Sequence, residues 1–430
     1  MSFLDRQFKI SERGSNISTE IMGGITTFLA MSYIIIVNPS LLSIAGMDKG
    51  ALITVTCMAA FIGSIISGVV ANVPVALAPG MGLNAFFTFT LVMEKGIDWR
   101  TGLGIVFISG LFFLIMSFGG IREKIANAIP LTLKLAAGGG IGLFIAFIGM
   151  KAMGLVVKND ATFVSIGPLT TTLYISLVGL FLIIFMEIKK IKGGILLGIV
   201  ITTILGIIFG DVALPEKIIS MPPSMAPVMF KLDIIGALKI SLIGPIFSFM
   251  FVDMFDTLGT LISCTKELGM VDEKGKIKGL GKMLYSDAAS TIIGSMLGTT
   301  TVTSYVESAA GISVGAKTGL ASVITGLGFL LALFFSPIVA IVPAYATAPA
   351  LIVVGVYMFK QVSELDFGDL KTLFPAFILI FSMPLTYSIS KGLALGFLAY
   401  IIVHITTGEF KKLNASLLFI GAICLLHLLV

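Results

Sequence analysis

The amino-acid sequence predicts an all-α polytopic membrane protein. Fourteen transmembrane segments form two inverted repeats of seven, and segments 3 and 10 are each a short strand followed by a half helix. Three observations carry this expectation. Of the 430 residues, 57% are hydrophobic and 12% charged, with a mean hydropathy of +1.08, where a soluble domain carries about 25% charge. Apolar runs close to the ~20 residues that cross a bilayer recur along the chain. Two of these runs, in matching places, are interrupted.

Read by hydropathy, the spans fall at 21–37, 51–71, 74–93, 101–119, 133–150, 172–187, 193–210, 236–262, 280–297, 299–313, 316–335, 337–358, 372–388 and 391–407. A further apolar run, 413–430, stays open between a fifteenth span and an interfacial helix. Residues 1–20 are polar and predict a cytoplasmic N-terminal segment with no cleavable signal peptide. With the N-terminus inside, the cytoplasmic segments hold 19 of the 28 Lys and Arg residues, five of the lysines in the stretch Cys264–Lys282. That bias orients the chain in the cell membrane. The net charge of +5 sits in loops between spans and gives no reason to expect nucleic acid. Cys57, Cys264 and Cys424 are far apart, and His404 and His427 lie near the C-terminus, so neither metal spacing nor a disulfide framework appears. No cofactor is expected.

Segment 3 (VPVALAPGMGLNAFFTFTLV, 73–92) carries a Pro–Gly pair at its middle. It reads as an extended piece, Val75 to Ala78, with a half helix starting near Gly80. In segment 10 (GTTTVTSYVESAAGI), the β-branched run Thr299–Thr303 favours strand. A half helix then starts near Ser304 or Tyr305 and stops by Gly311. The openings of the two halves also correspond loosely, GGITTFLAMSYIIIVNP from Gly23 against GPIFSFMFVDMFDTLGT from Gly244. Seven spans is an odd number, so the halves run in opposite senses. Interrupted segments in matching positions mark a transporter's midplane site. The two extended pieces can satisfy each other's backbone groups as a two-stranded ribbon.

Glu307 lies in segment 10. Ser304–Tyr305–Val306–Glu307 fits a capping box, the plain structural reading. A carboxylate at span centre costs about 2.5–3.5 kcal/mol on insertion scales, which favours a ligand site. Asp253 and Asp256 share a face of segment 8 at i and i+3; each could instead make an internal polar contact. Asn84 stands opposite Glu307 by repeat symmetry and can donate and accept at a ligand or bridge the broken helices. Thr26, Thr27, Ser32 and Asn38 read as helix-packing polar groups, and Phe86, Phe87 and Phe89 as lipid or core contacts. Carboxylates, an amide and helix N-termini suit a neutral, flat, N–H-rich substrate moved with protons, and three acids would repel an inorganic anion.

At ISERGSNISTEIMGGITTFLAMSYIIIVNP (10–39), PVALAPGMGLNAFF (74–87), FVDMFDTLGTL (251–261) and TTTVTSYVESAAG (299–311), the chain resembles the nucleobase–cation symporter 2 superfamily. Within it, the likeness is to the AzgA-like branch of adenine, guanine and hypoxanthine permeases. Ser308 and Ala309 after Glu307 depart from the uracil and xanthine branches. The resemblance implies a core domain of segments 1–4 and 8–11 (21–119 and 236–335) and a gate domain of segments 5–7 and 12–14 (120–235 and 336–430). It places a purine nucleobase between them, imported by proton symport with alternating access. The implied substrate-binding set is Glu307, Asp253, Asn84, Thr303 and Gly80, with Asp256 in proton coupling or site support. A homodimer within membrane lipid is in keeping with the family. The alternative is an anion or other small-solute carrier of the same fold. Nothing resembles an enzyme's nucleophile or phosphate loop.

Overall fold

The computed structural model describes residues 3–118, 129–215, 217–271 and 277–429. Five residues of the lysine-rich stretch Cys264–Lys282 (272–276), residue 430 of the last apolar run, and the expected core–gate boundary at 119–120 lie outside the described residues.

The molecule is mostly helical. Among the described residues, nine helices are long and apolar enough to cross a membrane, and shorter apolar helices lie between them. The first half runs α1 (Phe3–Phe8), α2 (Ile17–Met31), α3 (Ile34–Ile44) and α4 (Lys49–Ile66), then β1 (Leu77–Pro79), α5 (Met81–Ala85), α6 (Trp99–Phe118), α7 (Leu131–Ala152), the strands β2 (Val156–Asn159) and β3 (Phe163–Ile166), α8 (Thr171–Ile188) and α9 (Gly194–Ile208). The second half runs α10 (Ile234–Ala237), α11 (Ile243–Glu267), α12 (Leu280–Leu297), β4 (Val302–Ser304), α13 (Ser308–Ser313), α14 (Gly319–Ala332), α15 (Ser336–Ala340), α16 (Ala344–Phe359), α17 (Leu370–Leu385), α18 (Ile389–Thr406) and α19 (Ala415–Leu429). α5 continues without a break as a π-helix, Phe86–Glu94. The β2–β3 hairpin, which hydropathy did not foretell, joins α7 to α8.

The first apolar run is longer than hydropathy suggested, spanning Ile17–Ile44. Ser32 and Tyr33 interrupt it between α2 and α3. α14 packs on α2 and α4, α12 on α6, and α16 on α7. Small residues permit the last of these. A Cβ placed on Gly142 of α7 would come within 2.5 Å of the Gly355 carbonyl oxygen of α16, so the two backbones meet directly, as glycine allows in membrane helix pairs.

Both interrupted segments are present, and their extended pieces pair. β1 and β4 form an antiparallel ribbon with Leu77 opposite Ser304, Ala78 opposite Thr303 and Pro79 opposite Val302. The Tyr305 N–H donates to the Ala76 carbonyl at 3.0 Å and the Gly80 N–H to the Thr301 carbonyl at 2.9 Å, lengthening the ladder at both ends. Buried backbone groups that no helix serves are satisfied in this way. The ribbon also moves the expected boundaries. Residues 302–305 are held by β1, and the Tyr305 hydroxyl donates to the Pro79 carbonyl at 2.5 Å. The second half helix therefore starts at Ser308 rather than at Ser304 or Tyr305, and ends at Ser313. With Ser304 inside the strand, the capping box does not form. Glu307 itself occupies the N-cap position and makes no side-chain cap bond.

Candidate functional site

A cavity of about 1090 Å³ lies beside the ribbon. It is lined by residues of α2, Tyr33, Gly80, Thr303, α11 and α13, and by residues of α7, the end of α8, the start of α9 and α16. Exposed Lys190, Lys266 and Lys360 lie at its edge, on the side that the basic-residue bias predicts to be cytoplasmic.

Four of the six expected site residues line this cavity: Gly80, Asp256, Thr303 and Glu307. Glu307 is held by a residue that sequence reasoning passed over. The hydroxyl of Tyr33, fully buried at the α2–α3 break, donates to Glu307 Oε1 at 2.5 Å. A carboxylate offers about four acceptor positions, so this bond orients Glu307 without exhausting it. A tyrosine at the interruption of an otherwise apolar run was the available signal.

Thr303 is polarised by a second chain of bonds. Thr257 of α11 donates its hydroxyl proton to Asp287 Oδ1 at 2.9 Å. It also shares a 2.8 Å bond with the Thr303 hydroxyl. A hydroxyl has one proton, so Thr303 must be the donor in the second bond. Its oxygen is then left with lone pairs and can only accept from a ligand. Asp287, fully buried in α12, is another residue the sequence reading missed. Counting every acid inside the spans would have found it.

Gly80 precedes α5 and is buried against both neighbours. A Cβ there would stand 2.7 Å from Thr303 Cγ2 and 3.6 Å from Asp256 Oδ2. Only glycine lets the backbone pass so close to these side chains.

Asp253 and Asn84 are not among the lining residues. Asp253 is buried one turn before Asp256 on α11, 1% exposed. Asn84, fully buried, donates through Nδ2 to Asn38 Oδ1 at 2.6 Å and accepts from the Thr300 hydroxyl. Asn38 in turn donates to the hydroxyls of Thr56, at 2.7 Å, and Thr299, at 3.3 Å. The amide thus ties the two interrupted segments to α3 and α4, the bridging role weighed for it from sequence. Asn38 and Thr56 do the helix-packing work expected of polar residues in spans. Thr26 differs: it lines the cavity and receives a 3.3 Å hydrogen bond from Lys192 Nζ, which lines it too. Phe86 packs in the interior on Phe249, with ring centroids 5.0 Å apart.

Comparison with known proteins agrees with this architecture. The transmembrane domain of the cyanobacterium bicarbonate transporter BicA superposes with a TM-score of 0.62 at 16% identity, covering 91% of this chain and 97% of that one. SLC26A9 superposes with the same score at 13% identity, covering 91% and 66%. At such identities the likeness is one of fold. Sequence relatives are much nearer. A putative permease of Methanocaldococcus jannaschii, MJ0326, is 46% identical over 96% of this chain and 95% of its own. The adenine permease AdeP of Escherichia coli is 43% identical over 99% and 96%. The guanine/hypoxanthine permease PbuG of Bacillus subtilis is 39% identical over 95% of each. The model of the Permease family matches residues 18–395, a span that contains both interrupted segments, the ribbon and every cavity acid described above, and the chain belongs to that family.

Proposed function

We propose that this permease carries purine nucleobases (adenine, guanine or hypoxanthine) through alternating access of the cavity. The carrying observation is Glu307, a cavity-lining carboxylate set at the N-cap of α13 and fixed by Tyr33. Ring N–H groups need acceptors. Glu307 supplies one and the Thr303 oxygen another. Backbone N–H groups at the start of Met81–Glu94 meet ring nitrogens or a carbonyl. Relatives named as adenine and guanine/hypoxanthine permeases, at 39–43% identity, support the same substrate class.

The finer topology belongs to this reading: two inverted sevens, with core segments 1–4 and 8–11 moving against gate segments 5–7 and 12–14. The antiparallel pairing of β1 with β4 supports it, since each strand comes from the third segment of its half. Asp256, beside Gly80 in the cavity, is assigned to proton coupling. Asp253 and Asn84 take supporting places behind the wall. The fold neighbours are bicarbonate and anion transporters; this cavity sets Glu307 and Asp256 beside the ribbon, groups that accept from N–H donors and give an anion nothing to bind.

Competition uptake in proteoliposomes tests this. Labelled hypoxanthine, with an inward proton gradient, is challenged with unlabelled adenine, guanine, uracil, bicarbonate and sulfate. Proton-driven uptake blocked by the purines and indifferent to the rest is expected. No uptake of labelled hypoxanthine, with labelled bicarbonate or sulfate entering instead, would replace the purine reading with the anion one.

A further inference from the structure

The cavity has a second tyrosine–glutamate pair, on other elements than Tyr33 and Glu307. Glu187 stands at the last turn of α8 and Tyr357 at the last turn of α16, and both line the cavity. The Tyr357 hydroxyl donates to Glu187 Oε2. A Cβ placed on Gly194 would stand 2.8 Å from Glu187 Oε1, so the carboxylate rests on the first turn of α9, where the helix dipole favours an anion. Glu187 is therefore built to stay in place, as Glu307 is.

A purine carries hydrogen-bonding groups on two opposite edges. One acid serves one edge. A ring held by Glu307 leaves its other edge to a second acceptor, and Glu187, lining the same cavity, is the oriented one. Resting on the purine reading above, we infer that Glu187, positioned by Tyr357, is a second substrate-contacting carboxylate. It receives the far edge of the base. Selectivity among purines would then depend on both tyrosine–glutamate pairs.

Binding of hypoxanthine, 1-methylhypoxanthine and 9-methylhypoxanthine to detergent-purified protein separates the possibilities. Losing a hydrogen bond to a charged acceptor predicts that Glu187→Gln weakens hypoxanthine about tenfold or more. Contact at one edge predicts that one methylated analogue, already lacking that donor, binds the variant as it binds wild type. Tyr357→Phe keeps the carboxylate, should weaken hypoxanthine less, and should show the same analogue pattern, which serves if Glu187→Gln does not fold. Unchanged affinities overturn the inference and leave the purine reading intact. Equal losses for all three ligands overturn it too, because Glu187 would then only brace the wall. Failure of wild type to bind any of the three would remove the purine reading itself.

Discussion

At Glu307, one hydroxyl decides which way a carboxylate faces. Tyr33 removes one acceptor position and fixes the rest, so Tyr33→Phe should weaken base binding by about 1 kcal/mol, roughly fivefold, without abolishing it. Gly80→Ala should do more damage than its size suggests, because the new methyl meets Thr303 and the Asp256 carboxylate. Loss of binding in protein that still elutes as a single species would check this. The acids were legible in the sequence because a carboxylate stands out in an apolar run. Their partners were not. Tyr33 and Thr257 join Glu307 and Thr303 only once the α2–α3 turn, α11 and β4 converge, and no local pattern records that convergence. Asn84, singled out by repeat symmetry, hydrogen-bonds to Asn38 and Thr300, the bridging role that the sequence also offered for it.

Among the elements, the two interrupted segments were the most readable feature, because Pro–Gly and a β-branched run both disfavour helix. Their boundaries were less readable, since the register of β1 against β4 and not propensity sets where α13 starts. The glycine run of α7 was equally visible as letters but silent about its partner. Gly142→Leu would force α7 away from Gly355 of α16. A loss of about 1–3 kcal/mol in thermal unfolding is expected for such overpacking. At the α18–α19 turn, hydrogen bonds from Lys371 and Lys412 hold the Glu409 carboxylate down at about 2, below its ordinary 4.5. A depressed carboxylate contributes stability above about pH 4.5 and loses it as pH falls toward 2. Wild type should therefore exceed Glu409→Gln in melting temperature at pH 7, and the gap should narrow steadily below pH 4.5.

Over the whole molecule, segment 3 is tied to later helices by residues that do not line the cavity. Glu94 at the end of the α5 π-helix pairs with Lys391 of α18 at 2.6 Å. Phe89 meets the Tyr387 ring with centroids 5.6 Å apart, and Phe144 of α7 meets the same ring at 5.4 Å. The contacts of Glu94 and Phe89 must part if segment 3 moves against α17 and α18, as the proposed alternating access requires. A Glu94→Cys, Lys391→Cys double variant bridged by a short, reducible bifunctional thiol reagent should lose uptake and regain it on reduction. Its hypoxanthine binding should persist throughout. Continued uptake in bridged protein would show that segment 3 does not move against α18.

The most direct measurement is hypoxanthine binding and proton-driven uptake by Glu307→Gln beside wild type, in protein shown to be folded. Replacing the carboxylate with an amide keeps the shape and removes the charged acceptor, at a cost of about 2 kcal/mol or roughly thirtyfold in affinity. The account predicts that loss together with loss of uptake. Wild-type binding and uptake by Glu307→Gln would mean that the base is held elsewhere and that the cavity carboxylate only supports the fold.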